Sequence, residues 1–258
     1  MRTLNEIKGI LFDLDGVLYV SNQIIEGAYD TIHFLKKKGI KCRFITNTTT
    51  QSITTIYEKL IHMGFSIERG EILSPPFAVA LYLRELGKPS CYLLLAEEVK
   101  ADFFEFTQTD ENPDVIVLGD IGAAWNYEIL NKVFRMMMNG ANLIALHKGR
   151  FWLTDTGLQM DIGAFVAGLE YVTSKQAIII GKPSKSFFEI GLKEMNLSSQ
   201  KVAMVGDDIV SDIGGAQNCG LMGILVKTGK FLDGYFEKSG VNPDLVLNSI
   251  KDIVQYFK

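Results

Sequence analysis

The sequence is poor in proline and cysteine, with 6 and 3 residues in 258, and holds no apolar run near the ~20 residues that a membrane span needs. No low-complexity tract interrupts it, so a disordered or fibrous chain is excluded. Cys42, Cys91 and Cys219 are odd in number, far apart and flanked by apolar residues. They exclude a disulfide framework and are expected to be buried free thiols of a reducing compartment. Basic runs are equally scarce: 26 Lys and Arg stand against 30 Asp and Glu, a net charge of -4, which excludes a phosphate-backbone track and leaves nucleic acid an unexpected partner. The one basic triplet, Lys36 to Lys38, precedes Gly39 at an expected helix end, where cations complement the helix dipole. No signal-peptide core precedes the first strand pattern, so the expectation is a cytoplasmic protein with no membrane partner.

What is present is an ordinary globular composition, 47% hydrophobic and 22% charged, in a chain longer than one usual domain. Apolar runs of strand length alternate with helical periodicity throughout, which predicts an α/β fold: a Rossmann-like, mainly parallel sheet core. Ile10 to Phe12 form a doubly covered strand ending at Asp13; Arg43 to Thr46 and Val202 to Val205 form two more. Ile53, Ile56, Tyr57, Leu60 and Ile61 make one helical stripe ended by Gly64, and Phe187, Phe188, Gly191, Leu192 and Met195 make another. Met136 to Met138 invite a soft-metal reading, but Leu130, Val133, Phe134 and Met137 share one helical face, so core packing is expected. Residues 77–176 carry an α/β pattern of their own, with strands over Tyr92 to Leu95, Val115 to Leu118 and Leu143 to Leu146. The expected organisation is a discontinuous core, 1–76 and 177–258, with an inserted smaller α/β cap domain over 77–176. Ser74-Pro75-Pro76 and Thr173-Ser174-Lys175 would be its hinges.

Four segments stand at the C-terminal ends of predicted strands, the edge where open α/β sheets bind ligands. In Asp13-Leu14-Asp15-Gly16, residues two apart project to one side, so both carboxylates can face one pocket, provided a cation or shared proton offsets their repulsion. A solvated turn explains most lone Asp-x-Asp pairs; the place of this one after a buried strand favours the pocket. Thr46-Asn47-Thr48 offers a hydroxyl and backbone N–H groups to a phosphate oxygen, although taken alone a plain N-cap cluster explains it better. In Gly181-Lys182-Pro183-Ser184, Pro183 suits the first turn of the next helix, whose N-terminus would hold Lys182 near an anion. It is no Walker A loop, since Pro183 stands where Ser or Thr must follow the lysine. Gly206-Asp207-Asp208 and Asp212 supply hard oxygen ligands suited to magnesium, and capping explains only one of them.

The order of these segments resembles the four motifs of the haloacid dehalogenase superfamily along the whole chain. Phe44 to Thr49, His147-Lys148-Gly149-Arg150, Gly181-Lys182-Pro183, Gly206-Asp207-Asp208 and Gly214 to Gln217 look like a phosphatase branch with a C2-type cap. The resemblance implies a phosphoric monoester hydrolase of small phosphorylated metabolites. In it, Asp13 is the nucleophile and forms an aspartyl-phosphate, while Asp15 protonates the leaving oxygen and then activates water. It further implies Mg2+ held by Asp13, the backbone carbonyl of Asp15 and Asp207, and phosphoryl oxygens held by Thr46, the Asn47 N–H and Lys182, with Asp212 orienting Lys182 or a water. Asp208 is left as a helix-start residue, Arg150 is either a cap cation for an anionic substrate group or an ordinary exposed arginine, and a homodimer through the cap stays open. The competing readings are a phosphotransferase of the same superfamily and a catalytically silent phosphometabolite-binding protein. A dehalogenase needs neither a metal nor a second acid, and suits Asp15 and Asp207 poorly.

Overall fold

A computed structural model describes residues 4–154, 157–231 and 233–257. The chain divides into two compact units: Met1–Thr46, Thr54–Leu73 and Lys182–Lys258 form the first, and Asn47–Ile53 with Ser74–Gly181 the second.

The first unit is built on a six-stranded, all-parallel sheet in the spatial order Leu245–Leu247, Met222–Val226, Val202–Gly206, Gly9–Asp13, Lys41–Ile45, Ile72–Leu73. Every residue of its central strand, Gly9–Asp13, is buried, as its continuous apolar run requires. Phe12 stacks on Phe44 of the neighbouring strand at 6.0 Å, and both rings are sealed from solvent. The chain runs outward from Gly9–Asp13 through the 41–45 and 72–73 strands, then returns to lay 202–206 on the other side. The strand order therefore reverses beside Asp13, and such a reversal opens a crevice at the carboxyl edge of the sheet.

The expected helical stripes are present as Ile53–His62 and Lys185–Met195. Gly191 of the latter lies over Leu11 and Leu73, where an added Cβ would sit in ordinary contact at 3.6 Å. Helix Ala28–Lys37 ends where the lysine triplet placed it, with Gly39 at φ 77°. Pro183 departs from expectation: Ser184 takes the N-cap position in an extended conformation and the helix begins only at Lys185. Serine is a favoured N-cap, and Pro183 packs instead on Gly215, where a Cβ would come within 2.9 Å of it.

The second unit has its own four-stranded parallel sheet, Ile178–Ile179, Asn142–Ala145, Val115–Leu118 and Cys91–Leu94, and a hairpin of Phe151–Thr154 with Gly157–Met160. Helix Tyr127–Met138 buries Val133, Met136 and Met137, so the methionine run is core on one face and Met138 points outward. Trp125 stacks on Phe165 of helix Gly163–Thr173 at 4.3 Å. Pro75 and Pro76, read as part of a hinge, occupy the first turn of helix Pro75–Glu85 behind the Ser74 N-cap. A missing N–H costs nothing there, because first-turn donors have no intrahelical partner.

All three cysteines are free thiols, and Cys219 is half-buried rather than buried, because it caps the short helix Gly215–Asn218 at its open end. Burial pushes Cys42 up to about 12 and Cys91 and Cys219 up to about 11, which makes them poor nucleophiles near neutral pH. Among the described residues no helix is long and apolar enough to cross a membrane.

Candidate active site

Strand register brings the chemistry of the first unit to one edge. Phe12 pairs with Val205 and Asp13 with Ile45, so Asp13, Thr46 and Asp207 emerge side by side at the strand ends. Between the strand and helix that flank them, Asp208 accepts the Val210 and Ser211 N–H groups at 2.9 Å each and caps the helical turn that follows. That cap turns Asp212 back toward the strand end, where its Oδ2 accepts the Asp208 N–H at 3.2 Å.

Lys182 joins this group. Its Nζ makes an ion pair with Asp13 Oδ1 and a second, at 2.7 Å, with Asp212 Oδ1. Asp13, Lys182, Asp207 and Asp212 are 7%, 5%, 3% and 1% exposed, so water screens none of these charges effectively. Asp13, Asp207 and Asp212 each place a carboxylate oxygen within 4.8 Å of the others. Three carboxylates against one ammonium leave two negative charges without a partner in the cluster.

Burial, ahead of this excess, governs how the group titrates. Burial raises Asp13 to about 7; Lys182 opposes the rise, while Asp212 and Asp207 add to it. Burial also raises Asp207 to about 6, although the Lys230 N–H, 2.6 Å from Oδ2, holds its ionised form. Burial disfavours the charge of Lys182, yet the two carboxylates against it prevail and keep its ammonium protonated well above the ordinary range. Buried hard oxygens on three carboxylates, against a single ammonium, match the donor set of Mg2+, which binds through carboxylates and keeps part of its water.

The walls of the site are backbone. A Cβ at Gly16, where φ is 93°, would fall 2.0 Å from Asp207 Oδ2, and one at Gly229, where φ is 59°, 2.1 Å from the same atom. Both positions therefore admit glycine alone. The Thr228–Lys230 turn was not read from the sequence, although its Thr228 hydroxyl donates to the Gly16 carbonyl and its Lys230 N–H holds Asp207. Its only signal was a Thr-Gly step after an apolar run. Tyr19 was missed as well: it is buried, its ring lies 4.1 Å from Lys59 Nζ, and burial followed by Asp15 and Asp13 raises its pKa.

Asp15 does not enter the buried carboxylate group. It is exposed, in a bridge with Tyr19, at a turn closed by the Gly16 N–H donating to the Tyr19 carbonyl at 2.7 Å. Thr46 is buried at its strand end, with its N–H donating to the Leu73 carbonyl at 3.1 Å. Asn47 and Arg150 are exposed residues of the second unit. There, His147 accepts the Gly149 N–H at Nδ1 (3.1 Å), its pKa lowered by burial against the opposing pull of Asp161 and Asp120.

This arrangement agrees with what the chain is similar to. The sequence family described as haloacid dehalogenase-like hydrolase matches residues 10–107, and a second, described as HAD-hyrolase-like, matches residues 179–253. Phospholysine phosphohistidine inorganic pyrophosphate phosphatase of Rattus norvegicus is 34% identical over 97% of this chain and 94% of its own length. Haloacid dehalogenase-like hydrolase domain-containing protein 2 of Bos taurus is 35% identical over 99% of this chain and 98% of its own. Among solved structures, p-nitrophenyl phosphatase from Archaeoglobus fulgidus superimposes with a TM-score of 0.89 at 27% identity, covering 96% of this chain and 98% of that one. Asp13, Lys182 and the acidic residues after the Val202–Gly206 strand thus stand in a chain that belongs to the haloacid dehalogenase-like hydrolases, among the phosphatases of that family.

Proposed function

We propose that the chain hydrolyses small phosphorylated metabolites with magnesium, through a phosphoryl group carried transiently on Asp13. The observation that supports this most directly is the buried contact of Asp13 with Lys182, itself paired to Asp212, beside Asp207. A structural ion pair needs one carboxylate for one ammonium, and a surplus of buried carboxylates is costly unless a cation offsets it.

In this reading an Asp13 carboxylate oxygen attacks phosphorus, and the bond from phosphorus to the leaving oxygen breaks. Asp15, protonated beforehand, gives its proton to that oxygen. The Asp15 carboxylate then takes a proton from a water whose oxygen attacks the same phosphorus, which releases inorganic phosphate and restores Asp13. The exposure of Asp15 suits this role, since it must exchange a proton with water in each cycle. Thr46, the Asn47 N–H and the Lys182 ammonium are assigned the phosphoryl oxygens where charge spreads. Asp212 is assigned the orientation of Lys182, and Arg150 a distal anionic group of the substrate. Magnesium, when held by Asp13, Asp207 and the Asp15 carbonyl, supplies the charge that lets an anionic nucleophile meet an anionic phosphoryl group.

Purified protein should hydrolyse an aryl phosphate with magnesium and lose at least about 10³-fold in kcat as Asp13→Asn. Activity retained by that variant or after chelation would refute the reading. The substrate panel should include phosphoramidates and pyrophosphate, which the name of one relative suggests.

A further inference from the structure

The stretch 47–53 follows Thr46 directly, yet belongs with the second unit, whereas the residues on either side belong to the first. Its far end opens helix Ile53–His62. The first N–H groups of a helix have no acceptor within it, and here two are taken by side chains from the 3₁₀ helix Glu97–Phe103. Ser52 N–H donates to Glu98 Oε1 at 2.9 Å. Ile53 N–H donates to Asp102, 3.0 Å from Oδ2 and 3.3 Å from Oδ1.

Asp102 is held firmly. It is 9% exposed, and its neighbours Val99 and Phe103 are wholly buried, which fixes the turn that carries it. A carboxylate at a helix start makes a charge-assisted hydrogen bond and gains from the dipole, so the contact is stronger than one between neutral groups. The stretch between Thr46 and Ile53 is consequently pinned at both ends: by the sheet bond from the Thr46 N–H to the Leu73 carbonyl, and by Asp102 with Glu98.

We propose that Asp102, supported by Glu98, is a positioning residue for the phosphoryl-binding segment Thr46–Asn47, acting through the Ser52 and Ile53 amides without touching substrate. The inference rests on the phosphatase reading above. Loosening the far anchor lets the Asn47 N–H and Thr46 hydroxyl drift, and drift of about 1 Å in a positioned group costs up to about 10²-fold in rate.

The test uses the full chain as Asp102→Ala, Asp102→Asn and Glu98→Ala. The readouts are kcat and KM for an aryl phosphate, inhibition by inorganic phosphate, and amide exchange over 46–53. Asp102→Ala should raise both KM and the phosphate inhibition constant about tenfold and speed exchange at Ser52 and Ile53. Asp102→Asn keeps an acceptor oxygen and should return both constants to within about threefold of wild type. Unchanged KM and phosphate inhibition in Asp102→Ala, with wild type active, would overturn the positioning role alone. If that variant does not fold, the exposed Glu98→Ala must raise the phosphate inhibition constant by about threefold, and no change there overturns the proposal equally. A wild type inactive towards aryl phosphates would sink the phosphatase reading instead, which separates the two failures.

Discussion

Asp212 Oδ1 lies 2.7 Å from Lys182 Nζ, and neither side chain is more than 5% exposed. Asp212 stands one helical turn beyond Asp208, whose cap aims it back at the strand end. Lysine on a flexible stem would otherwise swing between carboxylates; with Asp212 on one side and Asp13 on the other, its ammonium has one place to sit.

Truncating Asp212 should therefore be costly. Asp212→Ala removes one of the two buried partners of Lys182 and leaves Asp13 as the other, so a loss of about 1–3 kcal/mol is expected. Urea unfolding in chelator measures it. Asp212→Asn, which keeps the size and an acceptor oxygen, should lose less. A change under about 0.5 kcal/mol in Asp212→Ala, the range of surface substitutions, would show that the pair is not what holds the lysine.

Metal and pH should be linked. Asp13 and Asp207, raised to about 7 and about 6, hold protons in the folded state that an unfolded chain releases near pH 4. The folded state then binds more protons, and stability falls as pH rises. Their contribution is full below about pH 4 and lost through pH 6 to 7. Metal-free protein should accordingly melt at lower temperature at pH 8 than at pH 5.5, and magnesium should restore more at pH 8, where it displaces no proton. Calorimetric titration of magnesium near pH 6 in two buffers of different ionisation enthalpy should reveal proton release. Heats independent of buffer would contradict the link.

The exposed Asp15 should matter in proportion to the leaving group. Protonation by a general acid contributes about 10²–10⁴-fold when the departing oxygen is basic. Asp15→Asn should therefore slow hydrolysis of an alkyl phosphate far more than of a nitrophenyl phosphate, whose leaving oxide needs little help. Equal losses on both would remove the acid role and leave Asp15 a backbone contributor at most.

Much of this was legible in the sequence. Ile10 to Asp13, Val202 to Gly206 and the stripe from Ile53 to Ile61 declare themselves by period and polarity, because burial on two faces or one leaves a local imprint on residue type. Asp13, Lys182 and Asp207 stand out for the same reason: charged residues at or one glycine past the end of an apolar run are costly unless they serve a site. The start of the helix after Pro183 was less legible, since both proline and serine favour helix beginnings and only the packing of Pro183 on Gly215 separates them.

The sequence alone determined the α/β class, the strands that end in carboxylates and the residue types able to carry phosphoryl chemistry, since hydrophobic period and chain order are local properties. Only the tertiary structure decided that the strand order reverses beside Asp13, that Lys182 reaches both Asp13 and Asp212, that the Lys230 amide holds Asp207, and that Asp102 accepts the Ile53 amide. Those contacts join residues tens to hundreds of positions apart, and two of them, to the Lys230 and Ile53 amides, run through backbone groups that every residue type shares. Nothing in side-chain identity announces which amide a distant carboxylate will find.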